Sequence, residues 1–220
     1  MTTGAGAAQA PAPAAAALPW RGIARALLPF APQLALAPLL FFVGVTFLHE
    51  SAHALVAVAG GGRITEFAFL PGPHNLGHVR WEAPPNAPPW LGDLVSIAPY
   101  AMWSMLAGIT AVLAWLRLRV NRWLAAAIFF WCYFIPLGDI AWNLYGGQGD
   151  LAVGGIDGLI LQAVGTSSLL AAFALGYGVQ RRLLGTHAVG AGGYLVATAV
   201  IGAGSAVAGS AGLALFAALR

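Results

Sequence analysis

Lysine is missing from this chain altogether, and cysteine occurs once, at Cys132. A lone cysteine closes no intrachain disulfide and excludes a zinc site built from several thiolates. Set in an apolar run, it reads as a small buried hydrophobe. Charge is scarce: 8% of the residues are Asp, Glu, Lys or Arg, against 60% that are hydrophobic. The formal net charge of +3 is carried by arginines scattered over the chain, which excludes a nucleic-acid-binding face. So little charge also excludes an ordinary soluble domain.

What the chain does have is long apolar runs. Five of them, at about residues 31–59, 91–116, 123–137 (continuing toward 145), 156–179 and 189–219, approach or exceed the roughly 20 residues that a bilayer crossing needs. The expected fold is therefore an all-α polytopic membrane protein of about five transmembrane helices. A short β-hairpin should follow the first crossing. Arg63–Leu70 alternates strand-favouring residues, Pro71-Gly72-Pro73 breaks it, and Leu76–Glu82 returns. His74 and His78 then fall at or near the hairpin turn. Trp90, Trp115, Trp123, Trp142 and Tyr145 near run ends fit interfacial anchoring.

Residues 1–19 are Ala, Pro, Gly and Thr with no charged start and no apolar core, so they read as a disordered tail and not as a signal peptide. Residues 20–30 carry Arg21 and Arg25 among apolar neighbours, as a short interfacial helix does. The membrane-embedded core is 31–179, and 180–220 adds a C-terminal crossing. In that last run Gly204, Ala208 and Gly212 lie four apart, a spacing that permits close helix packing. The all-arginine, Ala/Gly/Pro-rich composition has the look of GC-rich coding, and the expected location is a bacterial cell membrane, as a multi-pass protein.

Within the first crossing stands His49-Glu50-Ser51-Ala52-His53. On a helix, residues four apart share a face, so both imidazoles can aim at one point. Two imidazoles with a carboxylate alongside suit Zn²⁺ and a general base, here Glu50. Histidine and glutamate are rare, with five and three in the whole chain, so their meeting in one five-residue word is informative. Ionisable groups inside a membrane segment are costly and mark function by default. The plain alternative is a polar cluster that joins helices.

Two histidines do not complete a catalytic zinc site, and a third protein ligand is needed. Aspartates are the candidates. Asp150 follows a glycine-rich break at the start of a helix, Asp139 lies four residues before Asn143, and Asp157 is the remaining choice.

These residues resemble the site-2-protease-type intramembrane zinc metalloproteases. The resemblance rests on the His-Glu-x-x-His word in a transmembrane helix, the glycine-ended helix with a strand after it (Gly60 to Leu70), and a later Asn143…Asp150 pair. It covers about Ala31 to Val179. The family's Asp-Gly is not reproduced, because Leu151 follows Asp150. The resemblance implies one Zn²⁺ per chain on His49, His53 and Asp150, with Asp139 as the runner-up ligand, and Glu50 as the base. It implies a membrane-protein substrate cut in or near its transmembrane segment. Asn143, Ile64 and Phe67 would contact that substrate, the strand holding it by strand addition. Orientation stays open, since the arginine distribution puts the hairpin outside and the resemblance puts it inside. Three other readings remain: a zinc-binding partner of the same fold that does not cut, an ion-binding or transporting bundle, and a purely structural membrane protein.

Overall fold

The computed structural model describes residues 20–70, 77–117, 119–146, 150, 158–185 and 190–218. The 1–19 tail, His74, the 147–149 break and Asp157 lie outside the described residues. Within them the chain is mostly helical, with one two-stranded antiparallel sheet. Four stretches have the length and hydropathy to cross a membrane: Trp20–Leu39, Trp90–Trp115, Arg122–Ala141 and Gly190–Gly212.

The expected five crossings differ from these in an instructive way. The 31–59 run is helical throughout but in three pieces: α2 (Ala31–Leu39), a π-helical segment (Leu40–Val45) and α3 (Thr46–Ala59). Helix α1 (Trp20–Leu27) and a 3-10 turn (Leu28–Phe30) lead directly into α2. The stretch long and apolar enough to cross thus begins at Trp20, and Val43–Ala59 forms a shorter apolar helix. Pro38 explains the change of pitch: it has no N–H for the carbonyl one turn back, and the chain widens into a π segment.

The same device recurs around Pro136. Helix α5 (Arg122–Phe129) passes through a π segment (Phe130–Phe134) into α6 (Ile135–Gly146). The single hydroxyl proton of Thr110, on α4 (Trp90–Trp115), is shared between the Leu106 carbonyl of its own helix at 2.9 Å and, at 3.3 Å, the carbonyl of Cys132, four residues before the proline. A neighbouring hydroxyl thereby gives the freed carbonyl a shared, longer hydrogen bond where the helix supplies none. Helix α7 (Gly158–Leu184) covers the fourth expected crossing without being among the four qualifying stretches, and α8 (Gly190–Ala218) is the last element.

Helix α3 packs on α4, α4 and α7 both pack on α6, and α8 lies along α1 and α2. Phe30, Trp103, Phe129, Phe130, Val179 and Ile201 fill the centre. Ala114, Ala125 and Ala126 are fully enclosed there, because small side chains let helix backbones approach. The expected small-residue stripe does this on α8: a methyl added at Gly204 would lie 3.1 Å from Leu34 of α2. Large apolar side chains such as Leu55, Met105 and Val207 point outward, as lipid-facing residues do.

Helix α3 stops at the glycine triplet. Gly62 N–H bonds to the Ala57 carbonyl at 2.8 Å and Gly61 N–H to Val58 at 2.9 Å, with Gly61 at φ +81°. That pattern needs a left-handed residue, which glycine adopts without strain. The hairpin follows as β1 (Arg63–Ala68) and β2 (His78–Glu82), each shorter than expected. Arg63 faces Glu82 and Ala68 faces His78, with an irregularity between Ile64 and Glu66. His78 is therefore a strand residue and not a loop residue. It sits 2.8 Å from Glu66, which also meets Arg80 at 3.0 Å.

Candidate metal centre

Helix α3 presents His49 and His53 one turn apart, and their rings sit edge to face with centroids 5.0 Å apart. Nε2 of His49 is 3.1 Å and Nε2 of His53 is 3.2 Å from a single atom, Oδ2 of Asp150. Ligand atoms from these three residues lie within 4.8 Å of one another, the one such group of His, Cys, Asp or Glu among the described residues. The group could hold a metal ion. The expectation that Asp150 opens a helix falls on residues outside the described set.

The far side of each imidazole decides what the near side needs. His53 Nδ1 lies 2.6 Å from the Val95 carbonyl of α4. A carbonyl only accepts, so Nδ1 carries the proton, and neutral His53 turns a lone pair toward Asp150. His49 is flanked likewise, with Nδ1 3.4 Å from Asp139 Oδ2 and Nε2 facing Asp150. Each ring thus has an acceptor on both sides. Lone pairs and a carboxylate meeting this closely require positive charge between them, either added protons or a cation. Ligand distances of about 2.0–2.2 Å put tetrahedral neighbours about 3.3 Å apart, close to the two histidine-to-Asp150 spacings found here. Nitrogen, nitrogen and carboxylate oxygen are donors that zinc accepts, so the residues fit the ion.

Asp139 takes a supporting place. Besides facing His49 Nδ1, its Oδ2 accepts from Trp103 Nε1 at 3.1 Å. Asn143 Nδ2, one turn along α6, donates to the Asp139 carbonyl at 2.9 Å. Asn143 is thus engaged with Asp139. A carboxylate behind a ligating histidine fixes its tautomer and ring plane.

Tyr100 closes one wall: its hydroxyl donates to Asp150 Oδ2 at 3.3 Å and its ring meets His49 edge on. Tyr100 is ten residues into α4, about 15 Å at helical rise, or half of a hydrocarbon core of about 30 Å. Glu50 is buried on α3, close enough to His49, His53 and Asp150 to interact electrostatically with all three. Gly77, just before β2, packs against α3 and beside Glu50: a methyl there would lie 2.5 Å from Thr46 Cγ2, 3.0 Å from the Ala68 carbonyl and 3.1 Å from Glu50 Oε1. The hairpin therefore reaches back along α3 to the base of the site.

The two hairpin residues expected to contact a substrate part ways. Phe67 remains partly exposed and packs edge on against Phe47, with centroids 5.9 Å apart. Ile64 packs against the small cluster of Ala57, Leu91 and Val95. Sequence reasoning missed Tyr100, Trp103, Gly77 and the Val95 carbonyl. Tyr100 and Trp103, polar-tipped aromatics three apart in mid-helix, were the available signal. A carbonyl leaves no mark in a sequence. Comparison with protein-family models, characterised proteins and solved structures returned no match.

Proposed function

We propose that the protein is an intramembrane zinc metalloprotease of the site-2-protease type, hydrolysing a peptide bond in or near a transmembrane segment of another protein. One observation carries the reading. Both histidine Nε2 atoms of the His-Glu-x-x-His word and the Asp150 carboxylate converge on one point, while their outer atoms are tied to Val95 and Asp139. His49, His53 and Asp150 would hold the zinc, which supplies Lewis-acid polarisation and stabilises negative charge on the scissile carbonyl. Convergent donors with a carboxylate beside them favour hydrolysis over a merely structural cluster.

Glu50 accepts a proton from the attacking water and returns it to the departing amine. Its burial beside the hairpin keeps bulk water from competing for that proton. His53 and His49 hold their rings fixed through Val95 and Asp139, so no reorientation is needed during the reaction. Tyr100 anchors the Asp150 carboxylate and supplies a hydroxyl at the edge of the site. A substrate helix hides its peptide bonds in internal hydrogen bonds and must unwind before it can be cut. Strand β1 has β2 on one side and no strand on the other among the described residues, which suits it to hold an unwound segment by strand addition.

The test is hydrolysis of a co-reconstituted panel of single-span substrates by the wild type beside Glu50→Gln. Cleavage that disappears in the variant while zinc stays bound supports the assignment. Zinc bound by both with no cleavage across the panel favours a non-proteolytic zinc protein of the same fold.

A further inference from the structure

A second concentration of chemistry lies far from the metal centre. Trp115 is fifteen residues beyond Tyr100 on α4, about 22 Å at helical rise. There the end of α4, the connection to α5 and the last turns of α7 enclose an open cavity of about 810 Å³. Arg117, Arg119, Arg122, Arg181 and Arg182 all line it, and none of its lining side chains is acidic. Half of the chain's ten arginines thus converge on one concavity from two separate segments. Basic residues at a helix C-terminus and at a membrane boundary are ordinary. Convergence of five guanidinium groups on a cavity of ligand size, with no acidic side chain among the lining residues, is not explained by either.

Two features show a built site. Arg182 is stacked 3.3 Å from the Trp115 ring centroid and donates to the Trp115 carbonyl at 3.3 Å, and Arg181 lies over Tyr177 at 5.4 Å. Aromatic walls of this kind hold a guanidinium in place, and the five N–H donors of Arg182 exceed the one that the Trp115 carbonyl takes. Arg117 holds a left-handed backbone at φ +57°, the one non-glycine residue to do so among the described residues. A side chain pays for that conformation, and such outliers gather where geometry serves a ligand.

We propose that this arginine basin binds the phosphate headgroup of an anionic phospholipid. Guanidinium groups match phosphate oxygens through paired hydrogen bonds. The source of the phosphate follows from position: the spanning stretches Trp90–Trp115 and Arg122–Ala141 end and begin at this cavity, which is where headgroups lie, and basic pockets between membrane helices take such headgroups. The site is independent of the metal centre and of its proposed chemistry.

The experiment is native mass spectrometry of the full-length protein in detergent, titrated with phosphatidylglycerol or with phosphatidylcholine of the same acyl chains. The wild type should retain phosphatidylglycerol preferentially. Arg117→Gly and Arg119→Gln should each weaken that retention roughly fivefold, and together about twenty-five-fold. Phosphatidylcholine retention should not change. Arg117→Gly also relieves the left-handed backbone, so its thermal midpoint should not fall, which separates lost binding from lost folding. Equal retention of the two lipids, or undiminished phosphatidylglycerol retention in the double variant, overturns the proposal. So does millimolar inorganic phosphate displacing the lipid, because the site would then serve a free anion.

Discussion

Asp139→Asn is the sharpest probe of how the candidate metal centre is layered. The substitution keeps the shape and one oxygen acceptor, so Trp103 Nε1 and Asn143 retain a partner and the helix packing should survive. What goes is the negative charge 3.4 Å behind His49 Nδ1. Loss of such a supporting carboxylate typically costs 10–100-fold in metal affinity, about 1.4–2.7 kcal/mol. Asp150→Asn, by contrast, replaces the anionic oxygen shared by both histidines and should abolish tight binding. Asp139→Ala should lose affinity and also stability, by about 1–3 kcal/mol, since the buried indole N–H then has no acceptor. Competition against a chromophoric zinc chelator in detergent measures the affinities. If Asp139→Asn abolishes binding while Asp150→Asn only weakens it, the ligand and its support have been assigned the wrong way round. If neither changes affinity, the convergence has nothing to do with metal.

Other outcomes follow from single contacts. Thr110→Val removes the hydroxyl that meets the Cys132 carbonyl and should lower stability by about 0.6–1.5 kcal/mol, read from reversible unfolding in mixed micelles. Gly77→Ala drives a methyl into Thr46 Cγ2 of α3, 2.5 Å away, and against the Ala68 carbonyl and Glu50 Oε1, so the hairpin must shift off Glu50; hydrolysis should fall at least tenfold (~1.4 kcal/mol) while zinc content stays at the wild-type level. The hydrogen bond from His78, and then the Arg80 charge, hold the Glu66 carboxyl below its ordinary value. A depressed carboxyl adds stability above its unfolded pKa and loses it as pH falls through the lowered folded value. An acid unfolding scan should thus show a destabilising limb below about pH 4.5 that Glu66→Gln flattens; a limb unchanged in the variant would contradict this.

The helical runs, the glycine stop after Ala59, the hairpin and the pairing of His49 with His53 were legible because periodicity and local chemistry write them directly. So was the convergence of Asp150, although only as the first of several aspartates. Three things were not. Pro38 and Pro136 announce interruptions, but whether a helix breaks or widens into a π segment depends on which neighbour can reach the freed carbonyl, as the shared Thr110 hydroxyl reaches that of Cys132. Asp139 carries the same residue type as a ligand; only its position on the Nδ1 side of His49 marks it as support. Ile64 alternates like an exposed strand residue, yet Leu91 and Val95 of α4 cover it, and tertiary packing of that kind is silent in local pattern.

The central claim is that His49, His53 and Asp150 meet in order to hold a metal ion. Elemental analysis of the purified full-length protein, wild type beside His53→Ala and Asp150→Ala, tests it most directly. One zinc per chain in the wild type, and a metal content near zero in both variants, is the expected result. Wild-type protein that contains no stoichiometric metal and takes up none from buffered zinc would mean that protons supply the charge between these groups, and the metalloprotease reading would fall with it.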